Sequence, residues 1–385
     1  MEPIAKERIL LTGEVLRGGP ETVETLVDEW RQLCDEPGND LPFSRPEWVD
    51  AYFGINTGTW VIVALRSGNR LVAVLPLIEK QVRISRLPVT VLRAPSDFHL
   101  WPFDIPVAND MDRLSAARKL WQLVQDYRGW DMLELPNVPQ GGFAEDLSKV
   151  AKEKGFQNHR WEYMHSPCVM LDKVGGVKDP LELVRSKNLR ANIRKALRKI
   201  QQQGEMKISF SDYPQQDILN RLYELENASW KGREGNPIAA RQKDIDFWNK
   251  VTDSAGTFGY LSMCSISLID RVIAVSIGFN YKENYFGVKM GWAEDLKSFS
   301  IGHLLVSAIM GKCIDKGITS LSLGGLRSEW KEQWTDHCIP HASHYLFRNT
   351  LYGKAAKWAK LRQLGNLVAS FPQNRGYLER ATTKA

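Results

Sequence analysis

The segment KSFSIGHLLVSAIMGKCIDKG, beginning at Lys297, places Ser298, Ser300 and Gly302 at the head of an apolar-rich stretch that reads as a helix following a strand. A helix start offers free backbone N–H groups and the positive end of the helix dipole, and a glycine lets an anion approach the main chain closely. Ser300, Gly302 and His303 are therefore a candidate anion-binding set, suited to a pyrophosphate-bearing donor such as coenzyme A. His303 would hydrogen-bond that donor, or be held neutral by the dipole so that it can act as a base. The same residues also satisfy the simpler requirements of a helix cap.

Two further groups carry titratable side chains in suggestive places. PSDFHLWPFDIP, residues 95–106, gathers Asp97, His99 and Asp104 among aromatics and prolines in a loop between a strand and a helix, where binding residues collect. Asp97 and His99 are candidates for moving a proton and Asp104 for touching a substrate; a surface turn with a packed His reads equally well. Glu226, in ELENASW on a predicted helix, is a candidate base for an acceptor amine or an exposed helix carboxylate.

The elements that must hold these residues recur. TWVIVALRSGNRLVAVLPLI, residues 59–78, reads as an antiparallel hairpin, and FGYLSMCSISLIDRVIAVSIGF, residues 258–279, answers it, NRLVAV from Asn69 matching DRVIAV from Asp270. Each hairpin is followed by a strand, a helix and another strand: PVTVLRA, DRLSAARKLWQLVQDY and WDMLELPNV in the first half, NYFGVKMGW, GHLLVSAIMGKCIDKG and ITSLSLGGL in the second. The expectation is a duplicated mixed sheet with helices on its faces, divided near Lys173 to Asp179 by the Gly and Pro of LDKVGGVKDP. Between the halves, RSKNLRANIRKALRKI (185–200) holds seven basic and no acidic residues, with Leu189, Ile193, Leu197 and Ile200 along one helix face. A second basic stretch from Leu351 sets Lys354, Lys357, Lys360 and Arg362 around Trp358 and Leu361, and is expected to pack on the second half.

With 385 residues the chain has room for two cores, and 43% hydrophobic with 25% charged residues excludes disordered and fibrous classes. Five scattered cysteines without a C-x-x-C pair argue against a disulfide framework and a zinc site. No stretch reaches the ~18 apolar residues of a membrane span, and the charged N-terminus is unlike a signal peptide. A cytoplasmic location is expected. The net charge of +6 favours anionic partners.

From Leu189 to Trp334 the chain resembles the acetyltransferase domain of CelD-type, cellulose-biosynthesis-associated proteins, within the GNAT superfamily and related to the Fem-type aminoacyltransferases. The resemblance rests on LRANIRKALRKI, ENASWKGREGNP (226–237), SFSIGHLL and LSLGGLRSEWKEQW, and LPFSRPEWVDAYF (41–53) extends it to the first half. It implies a tandem GNAT-like α/β fold, with lobes at 1–175 and 176–350 and a basic tail at 351–385. Lys331 would then approach the donor or a developing oxyanion, Arg327 would share that task, and Trp230 and Trp334 would wall an acyl or adenine pocket. Two departures stand out: Ser300-Ile301-Gly302 replaces the family's Ser-Pro-Gly, and Ser322-Leu323-Gly324 replaces its Asp-Phe-Gly.

The expected activity is direct transfer of an acyl group from an acyl-CoA or acyl-carrier-protein thioester to an amine, such as a sphingoid-type amino-alcohol or a cell-envelope amino sugar. No metal or tightly bound cofactor is expected, and peripheral contact with an anionic membrane would suit the basic helices. The absence of G-x-S-x-G and of a Cys/His pairing agrees with transfer that needs no covalent nucleophile. The alternatives are an aminoacyl-tRNA-dependent transferase of Fem type and a non-catalytic scaffold of an envelope-synthesis complex.

Overall fold

The computed structural model describes residues 11–96, 101–172, 179–233 and 237–370. Asp97, His99 and residues 173–178 of the expected boundary lie outside the described residues. The chain divides into two compact units, one formed by the residues up to Met164 together with those from Pro340 onward, the other by His165–Ile339.

The first unit runs β1 (Leu11–Gly18), α1 (Glu21–Glu24), α2 (Val27–Asp35), α3 (Pro46–Gly54), β2 (Thr59–Ser67), β3 (Arg70–Ile84), β4 (Leu87–Arg93), α4 (Arg113–Asp126), β5 (Met132–Pro139), α5 (Phe143–Glu153) and the start of β6 (Gln157–Met170). The second runs from the end of β6 through α6 (Lys187–Gln201), β7 (Met206–Ser211), α7 (Gln216–Ala228), α8 (Trp230–Arg233), α9 (Gln242–Thr257), β8 (Leu261–Leu268), β9 (Arg271–Tyr281), β10 (Asn284–Trp292), α10 (Ile301–Asp315), β11 (Ser320–Ser322) and α11 (Glu329–Glu332). β12 (Cys338–Phe347) and α12 (Leu351–Ser370) follow, and the chain from Pro340 belongs to the first unit. Strand order is β1-β2-β3-β4-β5-β12-β6 in the first unit and β6-β11-β10-β9-β8-β7 in the second.

The sequence repeat is a structural repeat. β2-β3-β4-α4-β5 and β8-β9-β10-α10-β11 share one plan: two antiparallel pairings, then a parallel one reached through a helix. The hairpins agree even in their irregularity. Ser67 pairs with Arg70 and Leu65 with Ala73, while Leu268 pairs with Arg271 and Ile266 with Ala274, so Val72 and Ile273 are the extra residues of equivalent bulges. Both are fully buried. A bulge breaks strict alternation once; NRLVAV and DRVIAV read as continuous apolar runs because both faces of these strands are buried.

The basic helix α6 buries Leu189, Ile193, Ala196 and Ile200 and packs on α10, leaving its cationic side exposed; Leu197 is only partly buried. Ser186 caps it by accepting from Leu189 N–H at 3.2 Å. The second basic helix corrects an expectation: α12 packs on β3 and β4 of the first unit, where Ala356, Ala359 and Leu364 join Ile84, Val89 and Val91. Its small residues allow the close approach that Trp358, 63% exposed, does not share. Among the described residues no helix is long and apolar enough to cross a membrane. The tryptophans serve cores first: Trp30, Trp121, Trp130, Trp248 and Trp334 are among the largest fully buried side chains.

Candidate functional site

The candidate site lies in the second unit and begins with a broken ladder. β10 pairs with β9 along its length, with a bulge between Gly287 and Lys289, but with β11 only from Asn284 to Phe286 opposite Ser320 to Ser322. From Gly287 to Trp292 one edge of β10 therefore has no β11 partner, at the carboxyl end of a parallel pair, where ligands of α/β sheets bind. The cause is a glycine turn. Gly324 and Gly325 both have positive φ, and a Cβ at Gly324 would lie 2.9 Å from Gly287 O, so only glycine lets the chain leave β11 so close to β10.

Lys331 fixes that turn. Its ammonium donates to Gly324 O and, at 3.0 Å, to Leu326 O, and burial lowers its pKa to about 8. The side chain expected to approach the donor is thus folded into the turn flanking the gap, and Arg327 is paired with Glu332 at 2.9 Å.

α10 starts above the same gap. Ser300 takes a left-handed conformation (φ 52°) and makes no side-chain cap, in contrast to the capping read from the sequence. Its carbonyl accepts from His303 and Leu304 N–H at 2.9 and 3.1 Å, while the N–H groups of Ile301 and Gly302 have no acceptor among the described residues. Gly302 is buried, and a Cβ there would meet the Trp292 ring at 3.4 Å. The last side chain of β10 thus packs under the helix start.

His303 lies against an aromatic pair, Trp330 and Trp334, four residues apart in the chain. The ring stacks on Trp330 at 5.1 Å and 21°, and Trp334 Nε1–H donates to its Nδ1 at 3.2 Å. Burial lowers the imidazole to about 4, so it is neutral at pH 7. An indole only donates, so Nδ1 is the acceptor and the proton resides on Nε2. His303 in this state presents a donor at Nε2 and holds its Nδ1 lone pair against Trp334, an arrangement that favours hydrogen bonding to a ligand over taking a proton at pH 7. Trp334, expected to wall a pocket, is fully buried and instead orients this imidazole.

Glu226, near the C-terminal end of α7, is not the exposed helix carboxylate that its sequence also allowed: the residue is 1% exposed. Its Oε2 accepts from Ile238 N–H at 3.3 Å. The absent side chain of Gly291 brings α7 against β10, a Cβ there lying 3.1 Å from Leu225 Cβ and 3.5 Å from Glu226 N. Glu226 therefore adjoins the partnerless half of β10, whereas Trp230 is 48% exposed and donates its backbone N–H to Glu294 at 2.8 Å. Asp104 is in the first unit and holds a helix: it accepts from Phe143 and Ala144 N–H at 2.9 and 2.8 Å at the start of α5. Desolvation raises its carboxyl to about 6 against those bonds. Its expected contact with substrate is replaced by a helix-capping role. Burial pushes the Cys168 thiol to about 11 and those of Cys264 and Cys313 to about 12, which leaves them protonated and poor nucleophiles.

Sequence reading missed Trp292, Trp330, Gly287 and Gly291. The aromatic pair had a spacing signal; the glycines had none, because their contacts are between distant strands and helices.

Residues 187–332 match the acetyltransferase (GNAT) domain family. The chain is similar in fold to the crystal structure of FemX (TM-score 0.57, 12% identity, 87% of this chain and 98% of that one). It is likewise similar to the C-terminal DUF2156 domain of a protein assigned as a lysylphosphatidylglycerol synthetase from Agrobacterium fabrum (TM-score 0.54, 14% identity, 88% and 96%). A conserved protein from Bacteroides thetaiotaomicron gives a TM-score of 0.51 at 9% identity over 88% and 100%. At these identities the likeness concerns fold alone. No curated protein matches the chain. Residues 187–332 thus match a GNAT-type domain within a mixed α/β fold.

Proposed function

We propose that the protein is an N-acyltransferase of CelD-like type that moves an acyl group from an acyl-CoA or acyl-carrier-protein thioester to an amine by direct transfer. The observation that carries this reading is the partnerless stretch of β10 beneath the start of α10. Strand N–H and C=O groups there can bind an extended amide-bearing arm, and the free N–H groups of Ile301 and Gly302 suit phosphate oxygens. The acceptor nitrogen attacks the thioester carbonyl, the C–S bond breaks, the nitrogen loses a proton and the leaving thiolate gains one. Glu226 is the candidate for receiving the amine proton. His303, with its proton on Nε2, serves as a hydrogen-bond donor to the donor molecule, and Lys331 positions the 324–326 turn.

Sphingoid-type amino-alcohols and cell-envelope amino sugars remain the proposed acceptors. The exposed cationic face of α6 fits peripheral contact with the anionic inner face of the membrane. Asp97 and His99, outside the described residues, remain proposed for moving the acceptor's proton. The same cationic face favours a second reading, aminoacyl transfer from aminoacyl-tRNA, in which α6 contacts phosphates.

The test is release of free thiol from acyl-CoA in the presence of a long-chain amino-alcohol. A bound thioester at one hundred times its dissociation constant stabilises the protein by about 2.7 kcal/mol. Stabilisation with amine-dependent thiol release supports the proposal. Salt-sensitive tRNA binding without it favours the second reading, and neither ligand binding favours a non-catalytic scaffold.

A further inference from the structure

The first unit contains a cavity of about 530 Å³ that the acyl-transfer reading does not use. Its lining is built by regular elements rather than by chance of loops. Glu145, Ser148, Lys149 and Lys152 follow the i, i+3, i+4, i+7 spacing of one face of α5, and Asn158 and Arg160 alternate on β6. β12 adds His344 and α12 adds Lys357. Four cations thus line the cavity with a single carboxylate.

That carboxylate is already engaged, Glu145 lying 3.7 Å from Arg160. Lys149 pairs with Asp146 at 3.0 Å, but Lys152 and Lys357 have no ion-pair partner among the described residues. Positive charge is thus in excess along the lining.

A second, independent observation is a set of buried polar atoms without partners. His344 Nε2, Asn158 Oδ1 and Gln157 Nε2 all belong to lining residues, and all three are buried without a hydrogen-bond partner. Such orphans are rare and mark a missing water, ion or ligand group. The state of His344, 4% exposed, can be assigned. Ser148 Oγ accepts from Asn158 Nδ2 at 2.6 Å and lies 3.0 Å from His344 Nδ1. With no other acceptor for its proton among the described residues, the hydroxyl donates to Nδ1, so Nε2 carries the hydrogen. Burial and the nearby Arg160 and Lys149 lower this imidazole to about 4, which keeps it neutral.

The unsatisfied set therefore comprises two N–H donors and one carbonyl acceptor, among excess cations, beside the partly buried ring of Phe156. A bare inorganic anion would answer the charge and leave both the acceptor and most of the volume unused. We propose that this cavity binds a hydroxyl-bearing phosphate ester of about nucleotide size, its phosphate on Lys152 and Lys357, either as a free small molecule or as a phospholipid headgroup.

The test uses the full-length protein in isothermal titration at low salt, with adenosine 5′-monophosphate, inorganic phosphate, and phosphatidylcholine vesicles with and without phosphatidylglycerol. The variants are K152E/K357E, which changes two surface-facing cations, and His344→Phe, which removes the buried donor. Binding of the nucleotide weakened at least tenfold by K152E/K357E supports a free ester. Phosphatidylglycerol-dependent vesicle binding lost in the same variant, without nucleotide binding, supports the headgroup source. No binding of any probe, or equal binding by wild type and K152E/K357E, overturns the proposal, as does inorganic phosphate binding as tightly as the ester. Because no thioester is used, these results are independent of the acyl-transfer reading.

Discussion

The indole N–H of Trp334 donates to Nδ1 of His303 at 3.2 Å and so decides which imidazole nitrogen holds the proton. A residue that the sequence offered as base or ligand is thereby committed to donating from Nε2. Nitrogen-15 NMR of His303 should show the Nε2–H tautomer, with no titration between pH 7 and 5. Trp334→Phe removes the donor and should allow both tautomers and a higher midpoint. A wild-type midpoint near 6.5 would contradict the assignment.

His303 and His344 also set a pH dependence. Both imidazoles are lowered to about 4 by burial, against a reference near 6.5. As pH falls through 6.5 the unfolded chain takes up protons that the folded chain refuses, so stability is lost progressively toward pH 4. Melting temperature should therefore fall between pH 7 and 4.5, and the slope should be shallower in H303Q/H344Q. An unchanged slope in the double variant would assign the loss to other groups.

The turn after β11 should be intolerant of side chains. Gly324→Ala forces φ 64° on an L-residue and sets its Cβ 2.9 Å from Gly287 O. The expected cost is roughly 1–3 kcal/mol, with weakened acyl-CoA binding because the gap beside β10 is deformed. Denaturant unfolding and thioester titration check the two effects separately, and normal values in both would remove this turn from the site.

Lys331→Ala deletes the cation that ties Gly324 O and Leu326 O together. Turnover should fall about 10²-fold or more, and the donor dissociation constant should rise with it because the turn is released. Lys331→Arg should not restore full activity, since a planar guanidinium does not reproduce the ammonium's contacts in so enclosed a space. Turnover within threefold of wild type in Lys331→Ala would exclude the residue from positioning the site.

Asp104→Ala separates scaffold from chemistry. Loss of three N–H···O bonds to Ile105, Phe143 and Ala144 should destabilise the first unit by roughly 1–3 kcal/mol. Donor affinity should remain unchanged. A selective rise in the acceptor KM, with stability intact, would instead return Asp104 to the substrate.

Much of this architecture was legible along the chain because it is local. Alternating and 3.6-residue apolar patterns placed the hairpins, the β10-α10-β11 unit and the buried face of α6, and NRLVAV against DRVIAV marked the repeat, while the matching bulges emerged only from the strand registers. The helix start at Ser300 to His303 was likewise readable, since serine and glycine before an apolar run announce free N–H groups.

What the tertiary structure alone decided was which polar groups are already satisfied. Lys331 and Asp104 looked available as types, yet each is committed to backbone groups that other elements bring within reach. The side of the chain that α12 covers, the buried state of Trp334 and the glycine contacts at Gly287, Gly291 and Gly302 are equally invisible in sequence order. Local periodicity fixes which face of an element is apolar; only packing fixes what lies against that face, and with it the proton, the hydrogen bond and the open strand edge that chemistry can use.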